Sequence, residues 1–133
     1  MFRVEEAGIA ALGQAMAAGE TTARELVLRY MRRICAVDRD GPCLSSLIEL
    51  NPDALAIADS LDRQRALGRV LGPLHGIPVV IKDNIATGDR MHTSAGSLAL
   101  ADSYAPRDAA LVARLRSAGA LILAKANLTE LAN

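Results

Sequence analysis

The chain has 133 residues, 51% of them hydrophobic and 23% charged, a composition that suits a folded core rather than a disordered segment. Lysine plus arginine equals aspartate plus glutamate at 15 each, which leaves no electrostatic footprint for nucleic acid or an anionic membrane surface. Aromatic residues make up only 2%, so the core is expected to be aliphatic.

In chain order, about Val4 to Ala18 predicts a helix with Ile9, Leu12 and Met16 on one side and Gly19 as its stop. Arg3, Glu5 and Glu6 interrupt any signal-peptide apolar region, and no apolar run reaches membrane-spanning length. The expectation is a cytoplasmic protein. Thr22 and Glu25 have capping-box spacing and open a second helix, with Val27, Tyr30, Met31 and Ile34 as its apolar stripe. Arg24, Arg29, Arg32 and Arg33 lie mostly off that stripe and read as a solvated face. Cys35 and Cys43 form neither a CxxC nor a zinc-ligand pattern; they are expected to be free, buried or half-buried thiols.

Asp40, Gly41 and Pro42 end the helix, and Leu44 to Leu50 predicts a short strand. Asn51 before Pro52 predicts a helix start, with Leu55, Ala58 and Leu61 inward and an end near Gly68. Val79, Val80 and Ile81 form a continuous β-branched run, the pattern of a strand buried on both faces. The Gly-, Ser- and Thr-rich stretch from Asp83 to Ser103 predicts a long loop. Pro106 to Ser117 predicts a helix with Leu111, Val112 and Leu115 inward and Asp108 as its N-cap. Ala120 to Ala124 follows as a second buried strand. Asn127 and Glu130 then have the spacing to open another helix. Strand, loop, helix, strand in that order favours parallel pairing, so the fold class is α/β.

Lys82 sits where a buried strand meets a polar loop, and the carboxyl ends of strands are where open α/β sheets place their sites. Desolvation there would penalise the charged amine and let it accept a proton from a serine hydroxyl. The alternative is a lysine that reaches water or pairs with Asp83. Ser94 and Ser97 could line the same pocket, but serines in such loops are usually turn formers. His75 and His92 have no acid partner evident in sequence, and no residues show metal-ligand spacing.

The run Gly72-Pro73-Leu74-His75-Gly76-Ile77-Pro78-Val79-Val80-Ile81-Lys82-Asp83-Asn84 closely resembles the GPLxGIPxxxKDN segment of the amidase signature family. Leu26 to Tyr30, Ala36 to Asp38, Thr93 to Ser97, Pro106 to Ala109, Leu115 to Ala120 and Lys125 to Glu130 follow the same family's order. The resemblance implies one amidase domain of which residues 1–133 are the N-terminal portion. It comprises a helical hairpin over about 1–40 and the start of an α/β core over about 44–133. N-terminal helices would lead into part of a mixed β-sheet covered by helices, an incomplete amidase-signature fold.

The resemblance further implies hydrolysis of carboxamide C–N bonds by a Ser–cis-Ser–Lys triad, with Lys82 as the catalytic lysine. Asp83, Asn84, Thr93, Ser94 and Ser97 would be supporting or pocket-loop residues. Both serines of the triad would lie beyond this chain, which alone is expected to be inactive. The expected partner is a small-molecule amide, with no cofactor, no metal, no membrane and no nucleic acid bound directly. Exposed core would favour self-association of the fragment. The run from Thr93 to Ser97 and the run from Asn127 to Asn133 look most like free-standing bacterial amidases, including peptide amidases. The alternatives are the A subunit of a tRNA-dependent amidotransferase and a non-catalytic truncated remnant.

Overall fold

The computed structural model describes residues 3–132; Asn133, the last residue of the family-like sequence, lies outside them. Its helices are α1 (Ile9–Ala17), α2 (Ala23–Ile34), α3 (Ala54–Ala66) and α4 (Ala110–Ser117), and its strands β1 (Leu47–Leu50), β2 (Pro78–Lys82) and β3 (Leu121–Ala126). The sheet order is β1-β3-β2, with β1 antiparallel and β2 parallel to β3. This is the mixed, helix-covered sheet expected from the sequence.

Two apolar layers enclose the sheet. On one face Leu12 and Met16 of α1, Leu26 and Val27 of α2, and Ala58 and Leu61 of α3 pack on Leu121, Leu123 and Ala124. On the other, Met91 of the loop after β2 and Val112 of α4 meet Ile81 and Ile122. Ile9 and Leu111, expected inward, are exposed: each lies in the first turn of its helix, and the buried stripes begin only at Leu12 and Val112.

The start of α2 shows why these helices sit as they do. Thr22 accepts a hydrogen bond from the Glu25 amide at 3.1 Å, half of the expected capping box. The other half is not formed, since the Glu25 carboxylate takes the Thr21 hydroxyl instead. The free amides of Ala23 and Arg24 donate to the Asp62 carboxylate of α3 at 2.8 and 3.0 Å. The N-terminus of α2 is therefore capped from its neighbour, a placement that also favours the negative charge. Thr22→Ala should lower stability by about 1 kcal/mol, read as a lower urea midpoint. An unchanged midpoint would mean that Asp62 alone suffices.

Asn51 does not cap α3 as expected. Its side chain is buried, donating to the Ile122 carbonyl at 2.7 Å and accepting from the Asp53 amide at 2.9 Å. It therefore joins the strand layer to the start of the helix. Asp108 likewise is no N-cap; Ala109 holds that position without a side-chain bond. The Asp108 carboxylate takes the Gly88 amide and the Arg116 guanidinium, and Arg116 also pairs with Asp89. These contacts staple the loop after β2 onto α4. Glu130 opens a single turn rather than a full helix.

The expectation of burial on both faces holds for β3, every residue of which is buried except Ala126. In β2, at the edge of the sheet, Val80 is 44% exposed, an instance of the exposed core also expected from the sequence. Cys35 and Cys43 are both free and exposed, not buried: they lie in a π-helical turn (Cys35–Arg39) and the loop after it, outside either layer.

A bulge sets which side chains face which layer. In β3 the register skips Leu123 against β2, pairing Val79 with Ile122 and Val80 with Ala124. Leu123 and Ala124 both face the helical layer, and the phase of the strand is inverted beyond them. Lys125 thus pairs with Ile81 and shares its face, opposite the helices.

Candidate active site

Lys82 ends β2, beside Ala126 in register. Its amine makes no hydrogen bond or ion pair among the described residues, and the side chain is exposed. The desolvation anticipated from sequence is therefore not supplied by the described residues: Val80 and Lys82 lie on an edge strand, with no strand among them paired on its outer side. Val80 itself lines an apolar hollow with Tyr30, Ile34, Leu47, Pro78 and Leu123.

Immediately after Lys82 the chain turns. The Lys82 carbonyl accepts from the Ile85 amide at 3.0 Å, closing a four-residue turn, and the Asp83 amide continues the ladder to the Ala126 carbonyl at 3.1 Å. Asp83 is fully buried; one carboxylate oxygen accepts from the Ser94 amide at 3.0 Å and its hydroxyl at 2.5 Å. Asn84 is exposed and makes no side-chain hydrogen bond among the described residues.

Opposite Asp83 lies a residue whose placement the sequence did not disclose. Lys125 is fully buried, and its amine donates to the Ile85 carbonyl at 2.9 Å and the Thr93 hydroxyl at 3.0 Å. The second oxygen of Asp83 has no hydrogen-bond partner and faces this amine across 3.9 Å. Burial pushes the Lys125 pKa below its ordinary value of 10.5, while Asp83 pulls it the other way.

Ser94 and Ser97 line a separate cleft of about 380 Å³ with Ile48, Glu49, His92 and Asn127; Lys82 is not among its walls. By register Lys82 shares the face of Ala126, which packs on the helical layer, whereas Ser94 bonds Asp83 on the other side. The structure thus separates these serines from the lysine. Their hydroxyls are committed elsewhere, Ser94 to Asp83 and Ser97 to Glu130 at 2.8 Å, and Ser94 also accepts the Gly96 amide as a turn former does.

His92 does have an acid partner, contrary to the sequence reading. Its amide donates to Glu49 at 2.7 Å, its Nδ1 lies 3.1 Å from both oxygens of that carboxylate, and its ring stacks on Tyr104 at 4.2 Å. Glu49 lies 43 residues upstream, on β1, so no local spacing could reveal the pair. His75 is a buried structural residue, accepting the Leu71 amide on Nδ1 with Nε2 at the Leu61 carbonyl. Among the described residues no cluster of His, Cys, Asp and Glu could hold a metal ion, and no helix is long and apolar enough to cross a membrane.

A family model described as Amidase matches residues 25–133. A putative amidase of Schizosaccharomyces pombe is 45% identical over 130 residues, covering 98% of this chain and 22% of the relative. The A subunit of the glutamyl-tRNA(Gln) amidotransferase of Chloroflexus aurantiacus is 41% identical over 133 residues, covering 99% of this chain and 26% of the relative. Among solved structures, the native peptide amidase from Stenotrophomonas maltophilia superposes with a TM-score of 0.90 at 54% identity. That match covers 94% of this chain and 25% of the other. The chain thus spans about a quarter of the length of the relatives it matches.

Proposed function

Because this chain belongs to the amidase family, we propose that it forms part of an enzyme hydrolysing carboxamide C–N bonds, and that Lys82 is its catalytic lysine. The observation that carries the reading is the placement of Lys82: an unpaired amine at the carboxyl end of a parallel strand, within the family-like run. In this reading the amine, once covered and neutral, takes the proton of a bridging serine, which takes that of the nucleophilic serine. The nucleophile adds to the amide carbonyl, the amine departs carrying a proton, and water releases the acyl group. In this reading both serines and the oxyanion donors come from sequence outside this chain, since the hydroxyls of Ser94 and Ser97 are committed to the carboxylates of Asp83 and Glu130. The 54% identity to a peptide amidase favours peptide amides as the substrate class.

The second reading, the A subunit of an amidotransferase, rests on the 41% identity to such a protein. Ammonia release from peptide amides and simple carboxamides tests both. This chain alone should be inactive, and the chain extended through the rest of its gene should be active. Lys82→Ala in the extended form should lower kcat by roughly 100- to 10,000-fold, the usual worth of a positioned proton acceptor. Activity in the short chain would sink the assignment of the serines. Activity surviving Lys82→Ala would sink that of the lysine. Glutamine hydrolysis that needs companion subunits and aminoacyl-tRNA would favour the second reading.

A further inference from the structure

We infer that Lys125 is a positioning residue, whose buried amine clamps the turn that aims Lys82. The inference rests on the proposed role of Lys82 for its catalytic consequence, but its structural half stands on contacts within this chain.

The backbone of Lys82 is held at two points. Its carbonyl accepts from Ile85, and the next amide donates to Ala126. The turn is then fixed from behind: the Ile85 carbonyl receives the Lys125 amine, which also holds the Thr93 hydroxyl. Asp83, inside the same turn, faces that amine with one oxygen and takes Ser94 with the other. One amine therefore ties β3, the first residues of the loop and its return at Thr93 to Ser94.

No simpler account covers the site. A lysine that serves only packing would be replaced at lower cost by an apolar residue, because taking a charge out of water is expensive. A surface lysine would not be fully buried, as Lys125 is. The bulge at Leu123 and Ala124 brings the side chain to this face, and without it Lys125 would point into the helical layer. The ladder to Ala126 holds the backbone of Lys82 on one side, and the turn clamped by Lys125 supplies the second anchor. Displacements of about 1 Å at a reacting group can cost about 100-fold in rate.

Lys125→Met preserves length and removes the donor. In the amide-hydrolysing form, kcat should fall about 100-fold with KM within about threefold, since substrate contacts are untouched. In this chain, hydrogen exchange at the Ile85 and Ser94 amides should quicken at least about tenfold while the amides of α2 and α3 keep their rates. Unchanged kcat in a folded variant overturns the inference, as does a uniform rise in exchange, which would mark general destabilisation. If Lys125→Met does not fold, Thr93→Val, which removes one partner of the amine at similar volume, is read in the same way, with a smaller loss in kcat and unchanged KM expected. Should Lys82→Ala leave hydrolysis intact, the role of Lys82 fails by itself. The clamp then stands or falls on the exchange rates at Ile85 and Ser94.

Discussion

Gly119→Ala should destabilise the chain by about 3–5 kcal/mol, the joint cost of overpacking and of a strained backbone at one position. Gly119 has φ of +91°, a conformation that side chains other than glycine rarely adopt. A Cβ there would lie 2.5 Å from the Cα of His75 and 2.9 Å from its amide nitrogen, so backbone would have to move. That backbone is not free to do so. The Gly119 carbonyl accepts the Gly76 amide, and the Leu121 amide donates to the Ile77 carbonyl. His75 is pinned through its ring to Leu61 and Leu71, and its carbonyl takes Arg65. The measurement is a urea unfolding curve, and a variant that unfolds within about 1 kcal/mol of the parent would show that the approach to β2 yields.

Asp83→Ala should cost a similar amount, about 3–5 kcal/mol near neutral pH, because it strands a buried lysine without its counter-charge. The pH dependence identifies the cause. Lys125 already titrates below its ordinary value of 10.5 in the folded chain, so between its folded and unfolded pKa values the unfolded state binds more protons. Stability attributable to this group therefore rises with pH across that window. Removing Asp83 withdraws the attraction that opposes the shift, which lowers the folded pKa further. The penalty of Asp83→Ala should accordingly shrink as pH is raised toward 10.5, leaving only the lost bonds to Ser94. Unfolding curves at neutral and alkaline pH, beside Lys125→Met, would show this. A penalty independent of pH would mean that the pair contributes geometry and not charge.

What the sequence disclosed and what it withheld divide along physical lines. The order of elements was legible because periodicity and turn residues are local. The family-like run located Lys82 at the end of β2 for the same reason. Exposed core was expected from the resemblance, but which strand would form the edge was not legible: Val79, Val80 and Ile81 read alike in a central or an edge strand, and only pairing order distinguishes them. Asn51 before Pro52 looked like a cap; its side-chain oxygen does take the Asp53 amide, but α3 begins only at Ala54, and the bond of its side-chain nitrogen to β3, 71 residues away, was not legible. Nothing local marks Lys125 as buried: its amine reaches the Ile85 carbonyl because of a bulge that no sequence pattern announces. Glu49 and His92 meet only because β1 pairs with β3 beneath the loop.

The bulge in β3 also makes this strand a counter that tolerates no miscount. Inserting one small apolar residue between Ala124 and Lys125 would barely change the chain's hydrophobicity, yet it would exchange the addressees of every later side chain. Lys125 would be delivered to the aliphatic layer of α1 to α3, and Ala126 to the carboxylate of Asp83. A single-residue insertion at this one place should therefore be far more damaging than substitutions there, whereas insertions in the exposed loop near Leu98 should be borne easily.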